Sequence, residues 1–79
     1  MTNEPKHDYL LDASGLLCPE PIMMLHNAVR DVAEGQVIKM ISTDPSTQRD
    51  LNRFCEFLGH ELLFEMEADG TFYFWLKKV

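Results

Sequence analysis

Gly15-Leu16-Leu17-Cys18-Pro19-Glu20-Pro21 lies between a segment with strand periodicity and one with helical periodicity, and it marks the change from one to the other. Glycine permits the turn that ends the strand. Proline, with its ring-fixed φ and no N–H to lose, suits the first turn of a helix. Cys18 is therefore predicted at the N-cap or beside it, at the positive end of the helix and on a loop tip rather than in the core.

Upstream, Tyr9, Leu11 and Ala13 alternate with Asp8, Leu10 and Asp12, which predicts a strand over 8–13 after a flexible polar tail at 1–7. Downstream, Ile22, Leu25, Val29 and Val32 recur at spacings of three and four, so the first helix is expected from Pro19 to Glu34, with Gly35 ending it. The segment 36–42 reads as a second, largely apolar strand. Asp44-Pro45 then repeats the start signal, a capping side chain followed by a first-turn proline, and Leu51, Phe54, Cys55 and Leu58 mark the buried stripe of a second helix that stops at Gly59.

Two strands, 60–67 and 71–78, are joined by the hairpin signal Ala68-Asp69-Gly70. Leu62, Phe64 and Met66 alternate with Glu61, Glu65 and Glu67, predicting one dry and one wet face for the first of them. In the second, Phe72 and Phe74 are expected toward the helices and Tyr73 and Trp75 on the uncovered face. The order β-α-β-α-β-β predicts an α+β two-layer sandwich, a mixed four-stranded sheet with two helices on one face, as a single domain over 8–79.

Composition narrows the function. Of 79 residues, 46% are hydrophobic and 25% charged, ordinary for a globular domain. Thirteen acidic residues against seven basic ones give a net charge of -6, which argues against holding a phosphate backbone directly. No apolar run reaches the roughly 18 residues of a membrane span, and the first residues carry no export pattern, so a cytoplasmic location is expected. Cys18 and Cys55 match neither a Cys-x-x-Cys pair nor a zinc pattern, and His7, His26 and His60 are scattered; neither a metal nor a cofactor is expected.

A thiolate is the working nucleophile of a cysteine. A surface helix terminus favours it only weakly, and Glu20 opposes that gain. Pro19 and Pro21 delete two N–H groups from the first turn, which makes a poor oxyanion hole and a rigid mount. A displayed, moderately reactive sulfur of this kind suits thiol exchange, and suits a carrier better than a stand-alone enzyme. Cys55, on the inner stripe of the second helix, reads as a small buried hydrophobe. Of Met23 and Met24, one is expected to pack and the other to stay exposed.

The run from Leu11 to Pro21, continued by Met23-Met24, Asp44-Pro45, Arg49-Asp50, Phe54-Cys55 and His60-Glu61-Leu62, resembles the TusA/SirA-like sulfur-carrier family over residues 8–78. The resemblance implies that Cys18 accepts sulfane sulfur from a cysteine desulfurase as a persulfide and relays it to a downstream sulfur-transfer protein, for thiolation of tRNA wobble uridine. Leu17, Pro19, Glu20, Pro21 and Asp44 become candidate motif and partner-contact residues. Close relatives often carry arginine where this chain has Leu17, which removes a cation beside the thiol. Other sulfur or molybdenum-cofactor pathways use the same motif. Two further readings stand beside the carrier: a thiol-disulfide module pairing Cys18 with Cys55, and a regulatory interaction module. A monomer is expected, since one thiol must face successive partners.

Overall fold

The computed structural model describes residues 5–79. The expectation of a flexible tail at 1–7 therefore falls, for residues 1–4, outside the described residues; 5–7 have no regular structure. Strand β1 (Tyr9–Ala13), helix α1 (Glu20–Asp31), strand β2 (Val37–Ser42), helix α2 (Ser46–Leu58) and strands β3 (Glu61–Ala68) and β4 (Thr71–Lys77) follow in the predicted order. They form a mixed four-stranded sheet in spatial order β1-β2-β4-β3. β1 and β2 are parallel and the other pairs antiparallel.

Both helices pack on one face. Leu11 and Ala13 of β1, Ile38 and Met40 of β2, and Phe74 and Leu76 of β4 meet Leu25, Ala28 and Val29 of α1 and Leu51, Phe54 and Cys55 of α2 in one core. The parallel β1-β2 pair requires a crossover, which α1 supplies. Its consequence is spatial: the C-terminal ends of β1 and β2, and the N-termini of the helices that follow them, come to the same edge of the sheet.

Helix α1 begins at Glu20 and ends at Asp31, inside the expected bounds of Pro19 and Glu34. Val32 leaves the helix with extended backbone (φ -99°, ψ 158°) yet stays in the core, and the Gln36 side chain accepts the Ala33 N–H at 2.8 Å to close the turn. Tertiary burial of Val32 thus overrides the helical continuation that its spacing suggested. Pro21 is buried, and Ile22, expected in the core stripe, is only partly so. Met24 packs against the core while Met23 is exposed.

Strand β3 departs from simple alternation. Leu62 pairs with Leu76, but Phe64 pairs with Trp75, so Leu63 is an extra residue in a β-bulge. Three consecutive large apolar residues, Leu62-Leu63-Phe64, cannot alternate faces with acids, and the bulge resolves the conflict. Beyond it the expected pattern inverts. Leu62 stays on the helix side, Phe64 and Met66 join Trp75 and Tyr73 on the other face, and Glu65 and Glu67 take the register of Phe74 and Phe72. Glu65 there accepts a hydrogen bond from Gln48 Nε2 of α2 at 3.1 Å.

The face away from the helices is not bare. Trp75 is fully buried on it, between the Phe64 ring at 5.4 Å and the Lys39 ammonium 5.2 Å above its own ring. Leu10 and Phe64 remain exposed.

His60 closes α2 against the end of the chain. Its ring stacks on Phe54 with centroids 5.8 Å apart, and its Nδ1 accepts the Val79 N–H at 3.2 Å. Burial, aided by Lys78, pushes its pKa below the ordinary histidine value. A depressed histidine contributes stability that is complete above the unfolded pKa of about 6.5 and is lost as pH falls through the folded one. Thermal unfolding midpoints of the wild type are therefore expected to fall between pH 7 and pH 5, with a linkage of less than one proton per molecule, and His60→Gln should flatten that decline.

Candidate functional site

Cys18 stands at the shared edge formed by the ends of β1 and β2. The loop leading to it is tied down at each step. Asp12 accepts the Ser14 N–H at 3.0 Å and its hydroxyl as well, which holds the Asp12 carboxyl below its ordinary pKa. Thr43 Oγ1 accepts the Gly15 N–H at 2.8 Å, and the Leu17 carbonyl accepts the Glu20 N–H at 2.9 Å. Gly15 sits at φ +83°, the left-handed turn that glycine makes without strain. Pro19 is the N-cap of α1, which places Cys18 one residue before it, with the Cys18-Pro19 peptide cis.

Asp44 is the principal link. Its Oδ2 accepts the Cys18 N–H at 2.6 Å, while its Oδ1 accepts the backbone N–H and the hydroxyl of Ser46, each at 2.9 Å. These bonds to the charged form keep the Asp44 carboxyl below its ordinary pKa, with Ser46 the largest contributor and Cys18 next. Beneath it, the buried hydroxyls of Ser42 and Thr47 bond at 2.8 Å, and Ser42 Oγ accepts the Asp44 N–H at 3.2 Å. The N-cap of α2 is Pro45, one residue after the Asp44 expected there, but Asp44 still accepts from Ser46 at the start of α2, so one carboxylate joins that helix to the backbone of the cysteine loop.

The thiol itself is exposed, and Cys18 Sγ donates to Asp50 Oδ2 at 3.3 Å. Asp50 Oδ1 in turn accepts from Arg49 Nε at 3.3 Å. The Asp50 carboxylate, by hydrogen bonding and by charge, raises the Cys18 pKa above the ordinary thiol value, and Asp44 adds to this; the Ser46 hydroxyl acts in the opposite direction. Cys55 is a buried free thiol whose pKa burial pushes up to about 11.

An apolar groove of about 420 Å³ opens beside the sulfur, with Pro19 and Ile22 of the α1 entry on one side and Phe54, Phe57 and Leu58 of α2 on the other. Phe57 is 88% exposed. Leu58, expected in the buried stripe, is exposed on this groove instead. Of the residues singled out from the sequence, Leu17, Pro19 and Glu20 lie exposed around the thiol, Pro21 anchors the first turn in the protein, and Asp44 touches the Cys18 backbone. Sequence reasoning missed Asp50 and Phe57. Arg53, Phe54 and Phe57 lie three, four and seven positions after Asp50, so the spacing puts all four on one side of α2 but does not say which part of the chain that side meets.

The fold and the motif together define a small α+β domain that presents one cysteine at a strand-to-helix turn. The family model described as sulfurtransferase TusA matches residues 9–78. The sulfur carrier protein TusA of Pseudomonas entomophila is 60% identical over 72 residues, covering 91% of this chain and 90% of that protein. The protein of the same name from Pseudomonas aeruginosa is 59% identical over 71 residues, 90% of each. The chain belongs to the TusA family of sulfur carriers. A SirA-like protein from Desulfitobacterium hafniense has the same fold, with a TM-score of 0.79 and 22% identity over 89% of this chain and 96% of its own.

Proposed function

We propose that Cys18 carries one sulfane sulfur atom as a persulfide, taken from a cysteine desulfurase and handed to a downstream sulfur-relay protein. The pathway that fits the family best is thiolation of the tRNA wobble uridine, with the protein acting as a cytoplasmic monomer. The observation that carries this reading is an exposed thiol on a loop locked by Asp12, Thr43 and Asp44, with an apolar groove at its side. A rigid, open mount lets two different enzymes reach the same sulfur. The acidic surface leaves the nucleic acid to other proteins. Because Cys55 is buried and protonated, a second thiol for disulfide chemistry is not presented beside Cys18.

The reaction balances as an exchange. The Cys18 sulfur attacks the outer sulfur of the donor's persulfide, a new S–S bond forms, the donor's S–S bond breaks, and the Cys18 proton ends on the departing donor thiolate. Incubation with a cysteine desulfurase and cysteine should add one sulfur atom per chain by intact-mass spectrometry, reversible by a reducing agent and retained in Cys55→Ser. A wild type left unmodified by its partner desulfurase would overturn the proposal.

A further inference from the structure

Among the described residues, the side chain that accepts a hydrogen bond from the Cys18 thiol is a carboxylate. Asp50 Oδ2 receives the thiol hydrogen at 3.3 Å, and Asp44 lies against the Cys18 backbone N–H at 2.6 Å. Glu20 follows in the first turn of α1. Against these carboxylates stand the Ser46 hydroxyl and two arginines of α2. Arg49 is bonded to the far oxygen of Asp50, with its side chain 60% exposed against 18% for Asp50, so its charge is spent largely on water. Arg53 lines the groove, as does His26, whose ring meets Phe54 edge-on at 4.7 Å.

From this geometry we infer that Asp50 is a reactivity gate: it holds the hydrogen of the Cys18 thiol and keeps the sulfur inert while the protein is free. The inference rests on the carrier reading, because only a carrier must cross the solvent between partners with its nucleophile unspent. A hydrogen bond from S–H to a carboxylate stabilises the neutral form, and a negative charge beside the sulfur disfavours the thiolate, so both act in the same direction. Reactivity toward stray electrophiles follows the thiolate fraction. After loading, the outer sulfur lies one S–S bond, about 2.05 Å, beyond Sγ. The sulfur that then carries the charge is not the atom Asp50 contacts, so the gate is set on the empty carrier.

The test is alkylation of the full chain by iodoacetamide, in which the thiolate displaces iodide, followed as a rate against pH in a Cys55→Ser background. Asp50→Asn should react several-fold faster at pH 7, with the midpoint of its profile moved down. Asp50→Glu, which keeps the charge, should retain the slow profile, and Asp31→Asn, the same charge change on the exposed end of α1, should leave it in place. A midpoint unmoved or raised in Asp50→Asn overturns the inference, and so does an equal shift in Asp31→Asn, which would reduce the effect to net charge. No sulfur donor enters this assay. Normal loading by a desulfurase with an unmoved alkylation profile would remove the gate alone, whereas a shifted profile without loading would remove the carrier reading alone.

Discussion

Cys18→Ser is expected to abolish sulfur loading completely, from one atom per chain to none, with the fold intact. The substitution keeps the backbone N–H that Asp44 accepts at 2.6 Å and leaves a hydroxyl where the thiol donates to Asp50. What it removes is the only atom at the site able to form an S–S bond with an incoming sulfur. Because Cys18 is exposed and contributes no core packing, the thermal midpoint should change little. Intact-mass spectrometry after incubation with a desulfurase and cysteine reads the result. An adduct that persists in Cys18→Ser would move the cargo to Cys55 and contradict the site assignment. Cys55→Ser separates the two thiols: it buries a hydroxyl in the core and should lower stability while keeping the adduct.

Phe54→Ala is expected to give the largest loss of stability near the site. Phe54 is buried, its ring meets His26 edge-on at 4.7 Å and stacks on His60 at 5.8 Å, and it forms part of the groove beside the sulfur. Truncating a buried phenylalanine to alanine costs about 3–5 kcal/mol, the transfer of the ring plus the cavity left behind. At roughly 0.05–0.15 kcal/mol per residue a chain of this length holds about 4–12 kcal/mol in all, so the substitution removes between about a quarter and the whole of it. The midpoint should drop by roughly 12–40 °C. Phe54→Leu keeps most of the volume, should cost less than about 1.5 kcal/mol, and should remain folded and loadable. Differential scanning calorimetry distinguishes the pair. A Phe54→Ala midpoint within a few degrees of the wild type would show that α1 and α2 do not depend on this ring.

The two substitutions separate chemistry from scaffold. Cys18 contributes reactivity and almost no packing, whereas Phe54 contributes packing and no reactivity. His26 and His60 contact the same ring from α1 and from the turn between α2 and β3, so the groove beside Cys18 is continuous with the core rather than a surface scratch. Its apolar walls and the 88% exposed Phe57 give the site an adhesive side next to the acidic one formed by Glu20, Asp44 and Asp50.

Local rules were enough for the element order and for the place of Cys18. Strand alternation, helical spacing, first-turn prolines and the Gly59 that ends α2 act over a few residues, whereas Gly35 does not end α1, which stops at Asp31; the run from Gly15 to Pro21 by itself marks a strand-to-helix turn carrying a thiol. Family membership was legible for the same reason, since the motif is contiguous. Where local patterns conflicted, neighbours in space settled the matter. Val32 left α1 to stay in the core, and a bulge at Leu63 turned Phe64 and Met66 to the face away from the helices. The surroundings of the sulfur arise in the same way. Asp44 and Asp50 lie 26 and 32 positions from Cys18 and reach it because parallel pairing of β1 and β2 brings both loops to one edge of the sheet. Which charge faces a thiol depends on distances set by chain crossing, and no local periodicity encodes those distances; hence the cysteine could be read from the chain, while the carboxylate that restrains it emerged only with the fold.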